Sequence, residues 1–230
     1  MSDRQRNELL ARLQYRFSRE ALLDEALTHR SVSEHNNERL EFLGDAILNF
    51  VIAAALFQQR GTDSEGSLSR LRASLVNRET LAAIARDLQL GEHLQLGGGE
   101  LKSGGRRRDS ILSDALESLL GAVYLDSGFS ACEALILRLF EARLASLPSA
   151  SELKDPKTRL QEYLQSRRRP LPSYTVLDVS GKAHDQRFRV VCRIDGLSFE
   201  AMGEAASRRR AEQEAARTML DKLSEEQASQ

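Results

Sequence analysis

The spacing of apolar and polar positions predicts a helical front part of the chain. Over residues 1–145, apolar side chains recur about every 3.6 residues, as on the buried face of an amphipathic helix. The stretch from Leu96 to Arg108 is rich in glycine and arginine and is predicted to be a loop. The predicted helices cover residues 4–16, 19–29, 37–59, 65–75, 78–88, 109–126 and 129–146. The pattern therefore predicts an all-α domain over residues 1–146.

The spacing of apolar positions changes after a short polar segment. Residues 147–154 are small or polar and predict a linker. Asp155 and Pro156 then begin a helix, because Asp suits the N-cap and Pro the first helical position. Alternating runs typical of β-strands follow at 173–179, 187–194 and 197–203.

The end of the chain completes a second, smaller domain. Asp195-Gly196 separates the last two predicted strands and predicts a two-residue hairpin. Ser207 is a suitable N-cap for a final helix that runs to about Leu223. Residues 155–224 are thus predicted to form a small α+β domain with the order α-β-β-β-α.

The net charge of −1 hides an uneven distribution. Residues 1–151 carry 18 Lys and Arg against 21 Asp and Glu, whereas residues 152–222 carry 15 against 11. An acidic front suits metal binding and a basic rear suits a polyanion. The apolar run Ala46–Phe57 is short for a bilayer, so no membrane partner is expected. Cys132 and Cys192 predict no disulfide framework, which favours a cytoplasmic location.

Five carboxylates interrupt two apolar segments. Glu38, Glu41 and Asp45 have the spacing i, i+3, i+7, which places them along one side of a helix. Because the following residues to Phe57 are almost all apolar, that helix is expected to be buried nearly all round. Asp114 and Glu117 repeat the pattern at i, i+3 in a second, mostly apolar helix.

These acids are better explained by a metal than by a solvated acidic face. Isolated buried carboxylates are costly and usually find a cation, a proton or a donor. A set of oxygen ligands without His or Cys favours a hard divalent ion. Gly44, beside the third acid, has two interpretations: a contact point between helices, or space for a substrate backbone.

The sequence N-E-R-L-E-F-L-G-D-A at Asn37–Ala46 resembles the signature of the ribonuclease III endonuclease domain. Two further segments fit the same family: L-T-H-R-S at Leu27–Ser31 and S-I-L-S-D-A-L-E-S-L-L-G-A-V-Y-L-D at Ser110–Asp126. The rear domain is similar to a double-stranded RNA-binding domain. The resemblance covers nearly the whole chain, with the nuclease part first.

The resemblance implies a nuclease site built from these acids. Glu41, Asp45, Asp114 and Glu117 correspond to the metal-binding cluster of the family, with Asp45 and Glu117 essential for catalysis. Glu38 corresponds to an accessory acid at the mouth of the site. Mg²⁺ suits such ligands, and Mn²⁺ is a plausible substitute. The implied reaction is hydrolysis of both RNA strands, which leaves 5′-phosphate and 3′-hydroxyl ends with a short 3′ overhang. The implied substrates are ribosomal precursors and structured messages.

The rear domain carries the candidate RNA contacts. Arginines at a helix N-terminus are unfavourable, because the helix dipole is positive there, unless an anion binds. The S-R-R-R sequence at the start of the last helix therefore predicts phosphate binding. By resemblance, the first helix and the G-K-A-H-D loop reach two successive minor grooves. The candidate RNA-binding residues are Gln161, Glu162, His184, Ser207, Arg208, Arg209 and Arg210. Glu212 departs from many double-stranded RNA-binding domains, in which a lysine after the alanine continues the basic cluster.

The sequence leaves two interpretations open for each of three features. His29 is either a general base or a hydrogen-bonded histidine that holds helices together. The second interpretation is favoured because no catalytic cysteine or serine partner accompanies it. Arg106–Arg108 form either a solvated loop or a basic arm at the phosphates. Phe42 is either a core aromatic or, by resemblance, part of the interface of a homodimer with one active site per strand.

Overall fold

The chain divides into two compact units, residues 1–150 and 151–230. The computed structural model describes residues 3–147, 154–182 and 186–228. Most of the predicted linker, residues 148–153, and the predicted RNA contact His184 lie outside the described residues.

The first unit is built from helices, which confirms the predicted fold class. Two single 3₁₀ turns, Leu90–Glu92 and Gly105–Arg107, lie between them. The helices are α1 (Asp3–Leu13), α2 (Glu20–Ala26), α3 (Glu38–Gln59), α4 (Glu65–Leu75), α5 (Arg78–Asp87), α6 (Gly98–Lys102) and α7 (Asp109–Ala145). The backbone of α7 leaves the helical conformation at Gly128, where φ is +81°, so α7 consists of two helical segments, as the sequence predicts.

Helices α3 and α7 pack against each other at the centre of this unit. Leu48 and Ile52 of α3 and Leu116 and Leu119 of α7 are fully buried. By length and composition alone, both helices could cross a membrane. Buried core helices of soluble proteins meet the same criteria, so this is weak evidence for a membrane span.

Two glycines allow the backbones of α3 and α7 to touch. A Cβ atom at Gly44 would lie 1.8 Å from the backbone oxygen of Glu117, and one at Gly121 would lie 2.3 Å from that of Leu40. No side chain fits at such distances. The structure therefore favours a helix contact over substrate space as the role of Gly44.

The prediction that α3 is buried nearly all round is wrong. Phe42, Phe50 and Phe57 are 80%, 61% and 71% exposed, and Asp45 is exposed as well. Spacings of eight and seven residues place these phenylalanines along one side of the helix. An apolar run cannot distinguish a side that meets the core of the same chain from a side that faces outward.

The glycine-rich stretch is more ordered than the loop predicted from its composition. It contains α6 and the turn Gly105–Arg107. Arg106 donates to the backbone oxygens of Gly91 and Glu92 at 2.7 and 2.8 Å. These bonds hold one of the three arginines against the first unit, so the segment is not a free basic arm.

The second unit has the predicted order α-β-β-β-α. Its elements are α8 (Pro156–Ser166), β1 (Ser173–Ser180), β2 (Arg187–Arg193), β3 (Ala201–Ala205) and α9 (Arg208–Ala228). The strands form an antiparallel sheet in sequence order, and both helices contribute to its core with Leu160, Leu164, Ala215 and Met219. The Asp155 carboxylate accepts a hydrogen bond from the Thr158 backbone N–H at 3.1 Å and caps α8, as predicted.

The predicted two-residue hairpin is wrong in its register. Asp195 and Gly196 do form a turn, closed by the Leu197 backbone N–H donating to the oxygen of Ile194. However, β3 begins only at Ala201, which pairs with Cys192. Leu197 and Phe199 pack against the core of the unit instead of extending the strand. Their burial against the core accounts for the longer connection.

Candidate active site

The close contact of α3 and α7 brings together acids that lie far apart in the sequence. Carboxylate oxygens of Glu41, Asp114 and Glu117 all lie within 4.8 Å of one another. Each of the three residues is half-buried. Glu41 precedes Gly44 by one helical turn, and Glu117 precedes Gly121 by one turn, so the glycine contact fixes the distance between them.

The negative charges of these acids repel one another. Burial, followed by the charges of Asp45, Asp114 and Glu41, raises the pKa of Glu117 to about 8. Burial is also the largest cause that raises the pKa of Glu41, before the charge of Asp114. Such mutual repulsion costs stability and is relieved by a multivalent cation. Three half-buried carboxylates without His or Cys therefore fit a hard divalent ion.

Asp45 differs from these three acids. It is exposed and is not part of the group whose oxygens converge. Its carboxylate accepts a hydrogen bond from the side-chain amide of Asn49 at 2.7 Å. Among the charges that raise the pKa of Glu117, that of Asp45 is the largest. The structure thus places Asp45 beside the cluster and electrostatically coupled to it.

A cavity of about 210 Å³ lies next to Glu41 and Asp114. Two arginines at its wall are held by acids: Arg30 donates to Glu38 at 3.3 Å, and Arg108 donates to Glu100 at 2.7 Å. The cavity therefore combines carboxylates with guanidinium groups, a combination suited to a phosphodiester beside a metal ion. The sequence did not single out Arg30 or Glu100, and it left open whether Arg108 contacts phosphates as part of Arg106–Arg108. Arg30 lies in the L-T-H-R-S segment, which was the available signal.

His29 lines the same cavity but is held by its own loop. Its Nδ1 lies 2.8 Å from the Ser31 hydroxyl and accepts a hydrogen bond from the Ser31 backbone N–H at 3.2 Å. The backbone N–H of His29 donates to the oxygen of Gln95, and the Gln95 N–H donates back to Leu27. These bonds tie the segment before α3 to the segment before α6. They favour the structural interpretation of His29.

In the second unit, the candidate RNA contacts that the structure describes lie on α8 and at the start of α9. Gln161 and Glu162 are exposed on α8, and Lys154 donates to Glu162 at 2.7 Å. The Ser207 hydroxyl accepts from the Arg210 backbone N–H at 3.4 Å and caps α9, as predicted. Arg208, Arg209 and Arg210 are exposed in the first turn of α9.

Comparisons with known proteins match both units. The family described as Ribonuclease-III-like matches residues 19–144, and the Double-stranded RNA binding motif matches residues 156–223. The chain is similar to a protein named Ribonuclease 3 from Alkalilimnicola ehrlichii, with 62% identity over 218 residues that cover 95% of this chain and 96% of that protein. It is also similar to Ribonuclease 3 from Methylococcus capsulatus, with 56% identity over 223 residues and 97% of both chains.

Solved structures support the fold of the first unit. The nuclease domain of ribonuclease III from Campylobacter jejuni, described for structural flexibility in a region involved in dimer formation, superposes with a TM-score of 0.58. Its identity is 46%, and the match covers 59% of this chain and 95% of that chain. A second structure of that domain gives a TM-score of 0.59 at 44% identity, over 62% of this chain and 97% of that chain.

The matched motifs cover the helical unit and the α-β-β-β-α unit in order. The relatives are identical at more than half of the aligned positions over nearly the full length. The acidic group at the contact of α3 and α7 is the kind of site that a metal-dependent nuclease needs. The chain therefore belongs to the ribonuclease III family of divalent-metal-dependent endonucleases that act on double-stranded RNA.

Proposed function

We propose that the protein uses Mg²⁺ to hydrolyse both strands of double-stranded RNA. The observation that carries this proposal is the convergence of Glu41, Asp114 and Glu117 within 4.8 Å. Mg²⁺ prefers carboxylate oxygens and retained waters, and Mn²⁺ accepts the same ligands. When bound, the metal would activate water, neutralise phosphate charge and stabilise the departing oxygen.

We assign each acid a role in this chemistry. Glu41, Asp114 and Glu117 would hold the metal, and Asp45 and Glu117 are the two catalytic acids. Glu38 would act as an accessory acid, since its ion pair keeps Arg30 at the cavity wall. Arg30 and Arg108 would bind phosphate oxygens of the strand being cut.

The proposed products and substrates follow from family membership. Cleavage would leave 5′-phosphate and 3′-hydroxyl ends with a short 3′ overhang, and the substrates would include ribosomal precursors and structured messages. In the second unit, Gln161, Glu162 and His184 would reach minor grooves of the duplex, and Ser207 and Arg208–Arg210 would contact phosphates. The exposed positions of Gln161, Glu162 and the arginines support this assignment.

The test is cleavage of an end-labelled RNA duplex in Mg²⁺, in Mn²⁺ and in chelator. We expect staggered cuts in both metals and none in chelator, because without a metal ion nothing activates the water or neutralises the charge on the phosphate. Analysis of the new ends should give 5′-phosphate and 3′-hydroxyl groups. Cleavage in chelator at the Mg²⁺ rate contradicts the metal proposal, and a duplex that is bound but intact in both metals contradicts the nuclease proposal.

We further propose that the protein is a homodimer paired through α3. Phe42, Phe50 and Phe57 form an exposed apolar side of that helix, and Phe42 is 80% exposed, which excludes a core role within its own chain. Phe42 lines an open cavity together with three leucines and four polar residues, Leu40, Leu43 and Leu125 and Glu25, His35, Glu38 and Arg39. A two-fold pair would give one active site per RNA strand.

Replacing Phe42 by Ala is expected to weaken dimerisation by about 10- to 100-fold, because a large aromatic at the centre of an interface carries much of the binding energy. Sedimentation equilibrium over a concentration series measures the dissociation constant. Leu101→Ala is the control, since Leu101 is an exposed apolar residue, 44% exposed, on a different helix. Equal dissociation constants for Phe42→Ala and wild type contradict the assignment.

We also propose a cytoplasmic location without a membrane partner. Both cysteines, Cys132 and Cys192, are free and buried, which suits a reducing compartment. The two helices long enough to span a bilayer form the core of the first unit instead. Cell fractionation checks this, and recovery of the protein with membranes contradicts it.

A further inference from the structure

An acid lies among the basic residues that are proposed to bind RNA. Glu212 of α9 is only 9% exposed. One of its carboxylate oxygens accepts from Arg208 Nε at 2.9 Å, and the other accepts from Lys157 Nζ at 2.6 Å. A single buried carboxylate thus holds one cation from α9 and one from α8.

Lys157 is held from a second direction. Its ammonium lies 4.5 Å from the ring centroid of Tyr174 on β1, a cation–π contact. The Lys157 side chain is 36% exposed, whereas that of Arg208 is 64% exposed. Lys157 is therefore the more completely withdrawn of the two cations, and three elements of the second unit meet around it.

Glu212 is charged at neutral pH. Burial tends to raise its pKa, but hydrogen bonds and charges from Lys157 and Arg208 outweigh burial and leave the pKa below its ordinary value. The ionised carboxylate competes with phosphate for the same two cations, because both are oxyanions that accept charge-assisted hydrogen bonds. An RNA phosphate that binds Lys157 therefore competes with Glu212 for the ammonium.

We propose that Glu212 restrains the affinity of this protein for duplex RNA by holding Lys157 and Arg208 in intramolecular ion pairs. The inference rests on the proposed phosphate contacts of Arg208–Arg210. Arg209 and Arg210 remain exposed for phosphate, so Glu212 limits the charge offered to RNA without abolishing it. Weaker phosphate binding lowers the part of the affinity that does not depend on sequence, since phosphate contacts act without regard to sequence.

The test is binding of the full chain to a labelled RNA duplex in chelator, so that no cutting occurs, over a series of NaCl concentrations. Glu212→Gln nearly preserves shape but removes the negative charge that pairs with both cations. We expect about 5- to 10-fold tighter binding at low salt, and a salt dependence steeper by about one to two in log–log slope, since each added phosphate contact adds roughly 0.7 to 0.9.

The matched control is Glu214→Gln on the same helix. Glu214 pairs with Arg217 at 3.1 Å through an i, i+3 contact and loses the same single charge when replaced. We expect less than about a twofold change in affinity, because an exposed ion pair of this kind is weak. An equal gain in both variants attributes the effect to net charge alone and overturns the proposal.

Lys157→Gln provides a second test that does not require Glu212 to be changed. In the wild-type background it should alter affinity by less than about twofold, because Lys157 is already withheld from RNA. In the Glu212→Gln background it should remove part of the gain, as a double-mutant cycle would show. If Lys157→Gln alone weakens duplex binding and lowers the log–log salt slope by the roughly 0.7 to 0.9 expected for one phosphate contact, the proposal is overturned.

Two failures can be told apart. If Arg209→Gln, Arg210→Gln and their combination leave duplex binding unchanged, the proposed phosphate contacts are wrong, and the role of Glu212 falls with them. If those variants weaken binding while Glu212→Gln binds no more tightly than wild type, only the role of Glu212 is wrong. Circular dichroism of each variant checks that the fold is retained.

Discussion

Replacing Glu117 by Gln is expected to reduce the rate of RNA cleavage by at least about 10²–10³-fold while duplex binding in chelator stays within about twofold of wild type. The change removes a charged metal ligand and preserves the size of the side chain. The RNA contacts of the second unit do not involve this residue, so binding and cleavage should separate. Single-turnover cleavage and a binding titration measure the two effects.

The same substitution should stabilise the fold without metal. The pKa of Glu117 is about 8 in the folded state, above its ordinary value of 4.5. As the pH rises above about 4.5, the unfolded chain ionises first, so at neutral pH this group lowers the stability of the folded chain. Glu117→Gln removes that cost, and we expect an unfolding temperature higher by about 2–6 °C in chelator.

Glu141→Gln is the matched control, because Glu141 is exposed on the same helix, α7. It should cut and unfold like wild type. Normal cleavage by Glu117→Gln contradicts the metal assignment, and a lower unfolding temperature in chelator contradicts the electrostatic description of the cluster.

Replacing Gly121 by Ala is expected to lower the free energy of unfolding by about 2–4 kcal/mol and cleavage by more than about 10²-fold. The new Cβ would lie 2.3 Å from the backbone oxygen of Leu40 and 3.2 Å from the backbone nitrogen of Gly44. The two helices must then move apart, and the acids they carry move with them. Denaturant unfolding and single-turnover cleavage measure the two effects.

Gly66→Ala provides the comparison. Gly66 lies in α4, and its nearest neighbour to a new Cβ is the guanidinium of Arg70 at 3.4 Å. Alanine there should stabilise the helix by up to about 1 kcal/mol and leave cleavage unchanged. If Gly121→Ala unfolds and cuts as Gly66→Ala does, the close contact of α3 and α7 does not position the acids.

Local pattern was sufficient for most of the fold. Apolar periodicity placed the helices of the first unit except α6, and Asp155-Pro156 placed the start of α8, because these signals act between near neighbours in sequence. The hairpin register after Asp195-Gly196 was missed because it depends on Leu197 and Phe199 reaching the core. That is a tertiary effect, which a turn signal does not contain.

The acids of the candidate site could be picked out from the sequence, but their positions relative to one another could not. Helical spacing put Glu38, Glu41 and Asp45 on one side of α3, yet it could not show that Asp45 lies apart from the converging oxygens. That separation depends on where α7 crosses α3. Arg30 of the cavity and the ion pairs of Glu212 were missed for the same reason, since each brings together residues from different elements.

The start of α3 shows why ten residues suffice to recognise this family. In the first two turns of this helix, Leu40 is buried and Gly44 touches the backbone of α7. Glu41 and Asp45 lie on its acidic side, and Phe42 is exposed. Neighbouring positions are therefore constrained by different surroundings, and few substitutions satisfy them all. In this stretch, almost every position tolerates only one or a few residue types. It therefore carries more information per residue than the core of an ordinary helix, where apolar residues of similar volume can replace one another.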